Sequence, residues 1–119
     1  MKIFKLEKIQ VYQESLLLVA NVYLLIKKFP LSKDFSLVDQ LKRAAVSIPA
    51  NIAERFGRST KKDFANFLSI ALGSNNEVIA LLEVIKILYP KIYIDQLKEE
   101  YIVLGKRIYT FRQSLVSQN

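Results

Sequence analysis

The chain has 119 residues, a formal net charge of +7, and no cysteine, histidine or tryptophan. That length fits one domain, residues 1–119, large enough to hold a core without disulfide or metal staples. The missing side chains exclude disulfides, thiolate nucleophiles, zinc fingers, Ser/His and Cys/His catalytic pairs, and Glu-x-x-His di-iron sites.

The N-terminal stretch does not read as a secretory signal. Glu7 and Glu14 precede the apolar run, and no small-residue cleavage site follows it. The run Leu16–Ile26 has ten apolar residues of eleven. A bilayer span needs about 18 or more, so this run reads as a buried helix and no membrane partner is expected. A chain without cysteine suits a reducing cytoplasm, which is the expected location.

The first helix is predicted over Leu6–Lys28. Ile9, Tyr12, Leu16, Val19, Tyr23 and Ile26 recur at steps of three and four, with a second stripe of Val11, Leu18, Val22 and Leu25 beside it. Pro30 blocks continuation. The second helix is predicted to start near Ser36, where Ser36 and Asp39 have capping-box spacing. Its stripe is Leu37, Leu41, Ala44, Ile48, Ile52 and Phe56. Pro49 sits inside that stripe and removes one backbone donor, which predicts a kink with the helix running on through it. Gly57 is the expected terminator.

Thr60 and Asp63 form a second capping-box variant and open the third helix. Phe64, Leu68, Ala71, Asn75, Val78, Leu82, Ile85 and Tyr89 follow without a fault, and Pro90 ends the pattern. Gly73 is a poor helix former, and close approach to a neighbouring helix is its expected use. The fourth helix is predicted over Ile92–Val116, with Ile94, Leu97, Tyr101, Leu104, Ile108, Phe111 and Leu115 inward and Gly105 tolerated. Four amphipathic helices with short connections predict an all-α antiparallel up-down-up-down four-helix bundle.

A bundle helix needs roughly three apolar positions in seven. Leu16–Ile26 exceeds this, as does Val78–Tyr89 with only Glu83 and Lys86 polar. The surplus predicts a homo-oligomer formed through helices one and three. A wide bundle that buries the surplus itself is the competing reading.

Charge is unevenly spread. The end holding the N-terminus, the 57–60 turn and the C-terminus carries +6, and the opposite end sums to zero. A concentrated basic pole suits a phosphate backbone of RNA or DNA, with Arg55, Arg58, Lys61, Lys62, Lys106, Arg107 and Arg112 as the contacts. The competing reading is a solvated basic end without a partner. Tyr109 and Phe111 lie nearby, Phe111 as core, and the sequence alone supports no claim of a stacking platform.

Catalytic chemistry is not evident. Gly57 and Gly73 are isolated, so no phosphate loop forms. Glu54, Glu77 and Asn75 could hold a metal only if their helices faced one another, and two carboxylates without histidine make a weak site. Arg43, Asn51, Glu54, Asn75 and Glu77 read better as an internal polar network that fixes helix register. No metal, no cofactor and no enzymatic activity are expected.

Several polar residues at fixed spacing carry a resemblance. They are Gln40-Leu-Lys-Arg43-Ala-Ala, Ser47-Ile-Pro-Ala-Asn51-Ile-Ala-Glu54, Gly57-Arg58, and Phe67-Leu-x-Ile-Ala71-Leu-Gly73-Ser74 with Glu77; Val11-Tyr-Gln13 and Phe29-Pro30 also fit. In these the chain resembles the four-helix-bundle proteins encoded within intervening sequences of bacterial 23S ribosomal RNA genes. It departs at Arg55, where the family usually has glycine, and so gains a charge at the turn. The resemblance implies a ring-like homo-oligomer, a pentamer, that associates with nucleic acid. A related group, the accessory proteins of diversity-generating retroelements, implies the alternative role of a scaffold for a reverse transcriptase.

Overall fold

A computed structural model describes residues 9–54 and 60–117. Four helices run in order: α1 (Gln10–Leu25), α2 (Phe35–Glu54), α3 (Lys61–Leu88) and α4 (Asp95–Val116), with a short 3-10 turn at Leu31–Lys33. No strand occurs among the described residues. The bundle measures 49 × 21 × 20 Å. In it α3 packs most extensively on α2 and α4, while α1 packs on α2 and α4 and lies diagonal to α3. By length and composition alone α3 could cross a bilayer; here its apolar stripe is taken up by its two neighbours.

Cross-helix bonds give the directions. Asp34 meets Tyr89 and Ser47 meets Ser74, so α2 and α3 are antiparallel. Asn75 meets Tyr101 and Lys86 meets Asp95, so α3 and α4 are too. Val11 and Phe111 line one groove between α1 and α4, and Asn21 and Gln96 line the next.

Helix ends follow from their capping groups. Asp34, not Ser36, caps α2, since its Oδ1 accepts from the Leu37 amide at 3.3 Å. Asp39, expected in the capping box, instead accepts from Arg43 one turn on. A carboxylate one residue before the helix start reaches the third amide, whereas Ser36 already lies within the first turn. Thr60 caps α3 as its spacing predicts, its Oγ1 accepting from the Asp63 amide at 3.0 Å. Helix α4 starts at Asp95, three residues later than expected, because Ile92 and Ile94 are buried within the connection. Helix α2 passes through Pro49 without interruption, and Pro49 is itself buried.

The predicted stripes of α2, α3 and α4 form the core, with Phe56 and Gly57 outside the described residues. Helix α1 differs. Its buried face centres on the second stripe, Val11, Leu18, Val22 and Leu25, joined by Ser15, while Ile9 and Ile26 of the first stripe are buried at its ends and Tyr12 and Val19 pack half-buried against the core. Leu16 and Tyr23, placed inside by the first stripe, are exposed. Ser15 is buried at little cost because its hydroxyl donates to the Tyr12 carbonyl at 2.7 Å. At the far end Phe64 and Phe111 meet edge to face, ring centres 5.3 Å apart.

Gly73 reverses its expected role. It is exposed, with nothing within 4 Å of where a Cβ would stand. Close approach occurs at Gly105, where a Cβ would lie 2.8 Å from Asn75 Nδ2. That nitrogen donates to the Tyr101 carbonyl at 2.8 Å, so α4 gives up a side chain to admit the Asn75 amide. Buried Tyr101 lies directly below. Burial, with the Glu100 charge behind it, pushes its phenol well above the ordinary value, so it stays neutral. The bond to Asp34 and then burial raise the Tyr89 phenol as well.

Three substitutions test these contacts. Gly105→Ala forces Asn75 off its carbonyl and lowers unfolding stability by about 1–2 kcal/mol, after a helix-propensity gain is subtracted. Gly73→Ala meets open space and raises stability by about 0.5–1 kcal/mol. Chemical denaturation of both variants, read by helical circular dichroism, checks the opposite signs. Arg107 pairs with Glu14 between α4 and α1, and the Glu14 side chain is only 25% exposed with Oε1 unpartnered. Arg107→Ala therefore costs about 1–2 kcal/mol, and a double-mutant cycle with Glu14→Gln recovers part of it.

Candidate functional site

The seam between α3 and α4 gathers most of the described basic candidates. At the bundle end, Lys61, Lys62 and Asn66 of α3 face Arg112 and Val116 of α4 around a concavity of about 320 Å³. No acid is among its described lining. The antiparallel register makes this meeting necessary, because the start of α3 must lie beside the end of α4. The α3 N-terminus adds its own partial positive charge. Lys61 and Lys62 are exposed, and Lys62 has no partner among the described residues. Arg112 is half-buried and held in place, donating to Ser69 Oγ at 2.6 Å and to Gln113 Oε1 at 3.0 Å.

Further along the same seam lies a groove of about 430 Å³. Asn76 and Ile79 line it from α3, and Gly105, Lys106, Tyr109 and Thr110 from α4. On α4 the positions 105, 109, 112 and 116 step by four, three and four, which is one helix face. The two concavities therefore follow each other along one side of the bundle, with the Arg112–Ser69 bond between them.

The other candidates are dispersed. Arg55 and Arg58 lie outside the described residues. Arg107 points to the α1 side and is committed to Glu14. Lys106 is exposed without a partner among the described residues and touches both seams. The α1–α4 side carries its own mainly apolar grooves, about 670 and 570 Å³, which share Glu14, Val103 and Arg107.

The expected internal polar network is not assembled as one unit. Arg43 is on the surface, its side chain 80% exposed and paired with Asp39. Glu54 and Glu77 are exposed. Long charged side chains stay in water here because the interior offers them no matching charge. Two short polar groups do the internal work. Asn51 donates to the Ser47 carbonyl at 2.8 Å and to its hydroxyl at 3.0 Å, and Ser47 meets Ser74 at 2.8 Å, tying α2 to α3. Asn75 ties α3 to α4. Asn75 is buried and Glu77 exposed, so these two candidate metal donors lie in different surroundings.

Sequence reasoning missed Gly105 and the seam position of Tyr109. A mid-helix glycine costs about 1 kcal/mol, so its presence was the available signal.

A family profile described as 23S rRNA-intervening sequence protein matches residues 7–110. No curated protein matches the chain. Among solved structures, it is similar to a protein of unknown function from the S23 ribosomal protein family of Bacteroides thetaiotaomicron VPI-5482, determined at 1.70 Å. The two share 25% identity with a TM-score of 0.57, over 90% of this chain and 95% of that one. The profile spans nearly all of the four-helix bundle, and the chain belongs to the 23S rRNA-intervening sequence protein family.

Proposed function

We propose that this chain is a non-enzymatic, cytoplasmic, nucleic-acid-binding protein that works as a homo-oligomeric ring. The observation that carries the binding role is the concavity where Lys61, Lys62 and Arg112 converge with no acid among its described lining. Phosphates docking there meet two exposed ammonium groups and a guanidinium already oriented by Ser69. The net charge of +7 adds long-range attraction.

Assembly is supported by apolar surface on two opposite sides. Helix α1 exposes Leu16, Leu17 and Leu24, and α3 exposes Ile70, Val84 and Ile87, the last at 79%. Because α1 and α3 are diagonal, the α1 face of one copy can meet the α3 face of the next, and a head-to-tail contact of this kind makes a ring when its rotation closes. A pentamer is the number the family resemblance implies. A ring repeats the basic concavity around its axis and multiplies its field.

A scaffold for a protein partner such as a reverse transcriptase is the second reading, favoured by the apolar α1–α4 grooves.

Binding to RNA and DNA weakens steeply as salt rises, with a log–log slope of about −0.7 to −0.9 per phosphate contact. Lys61→Glu with Lys62→Glu keeps the fold, since acids suit a helix N-terminus, and removes most of the affinity. A salt titration by fluorescence anisotropy checks both points. Affinity unchanged across the salt series, or unaffected by the double reversal, contradicts the reading.

A further inference from the structure

The α3–α4 seam holds more than cations. Tyr109 projects from α4 with its side chain 55% exposed, and no hydrogen-bond partner occupies its hydroxyl among the described residues. It stands one turn after Gly105 and Lys106, so ring, glycine and ammonium share one groove. The space of the missing Cβ at Gly105 is taken up by the buried Asn75 amide, so the groove floor beside Tyr109 is low and closed. Apolar walls come from Ile79 and Ile102. The groove thus offers an aromatic face, an apolar wall and a cation within two helical turns.

The neighbouring concavity continues this chemistry toward the bundle end. From Lys106 to Arg112 the helix rises about 9 Å. A backbone laid on Lys61, Lys62 and Arg112 therefore passes the Tyr109 groove on the same side of the bundle.

From this juxtaposition we infer that the seam binds single-stranded nucleic acid and that one unstacked base lies on the Tyr109 ring while Lys106 holds a flanking phosphate. This rests on the nucleic-acid reading above and sharpens it to one substrate class. In a duplex the base faces are covered by their neighbours, and only edges and backbone are open to a protein. A tyrosine in a groove has its full stacking energy only with a base that has left the stack. Stacking needs no particular base, so the groove tolerates any sequence.

The test uses the full-length chain and four labelled ligands of equal length: a uridine homopolymer, a thymidine homopolymer, a duplex, and an abasic strand of the same charge. Anisotropy titration is expected to give tighter binding to the homopolymers than to the duplex or the abasic strand. Tyr109→Ala lowers homopolymer affinity roughly tenfold and leaves duplex and abasic binding unchanged, and Tyr109→Phe retains the wild-type values. Circular dichroism confirms that the variants keep their helices. Equal binding of homopolymer and abasic strand, or a Tyr109→Ala variant that binds homopolymer like the wild type, overturns the base site and leaves the backbone reading standing. No binding to any of the four ligands overturns both.

Discussion

Two consecutive residues in the middle of α3 fix the arrangement of the bundle. Ser74 meets Ser47 on α2, and Asn75 meets the Tyr101 carbonyl on α4. Successive residues on a helix point about 100° apart, so adjacent positions reach different neighbours. The apolar stripe from Phe64 to Ile85 supplies the driving force, at about 1.5–3 kcal/mol for each large side chain buried. Hydrophobic burial alone tolerates a slide of one helix along another. A directional bond into a helix backbone, through a gap that only a glycine leaves, tolerates far less. The polar pair converts a greasy contact into a defined register.

That register determines what the surface can do. Once Asn75 lies beside Gly105, the start of α3 has to lie beside the end of α4, and Lys61 and Lys62 come to face Arg112. The same register carries Tyr109 and Lys106 onto the side of the bundle that holds those cations. Helix α1 is set apart from this side. It packs against α2 and α4, and Glu14 and Arg107 clasp it to α4. Its exposed leucines face away from Ile70, Val84 and Ile87 of α3, which leaves the bundle with two apolar sides.

Much of the fold was legible because three helices obey one periodicity without conflict. Leu37 to Ile52, Phe64 to Tyr89 and Ile94 to Leu115 each have one apolar stripe, and each stripe lies inward. Helix α1 was legible as a helix but not in its facing. With ten apolar residues in eleven it offers two stripes of nearly equal weight, and the helix centres its buried face on Val11, Leu18, Val22 and Leu25 with Ser15 among them. Sequence alone has no term for a hydroxyl that satisfies itself on its own helix. The glycines were misjudged for a related reason. Gly73 and Gly105 look alike in sequence, and only the partner helix distinguishes open space from an amide at 2.8 Å. The candidate site was half legible. Charge counting found the basic pole, but Arg107 was spent on Glu14, Arg43 stayed in solvent, and the meeting of Lys62 with Arg112 depends on a register that no local pattern encodes.

The proposed assembly joins the two opposed apolar sides, and through it a basic groove on one small bundle gains its reach by repetition. Native mass spectrometry of the purified chain at micromolar concentration measures this directly. A closed ring predicts one dominant species at an integer multiple of the 13.7 kDa chain, five being the expected number. A spectrum dominated by the monomer under those conditions contradicts it.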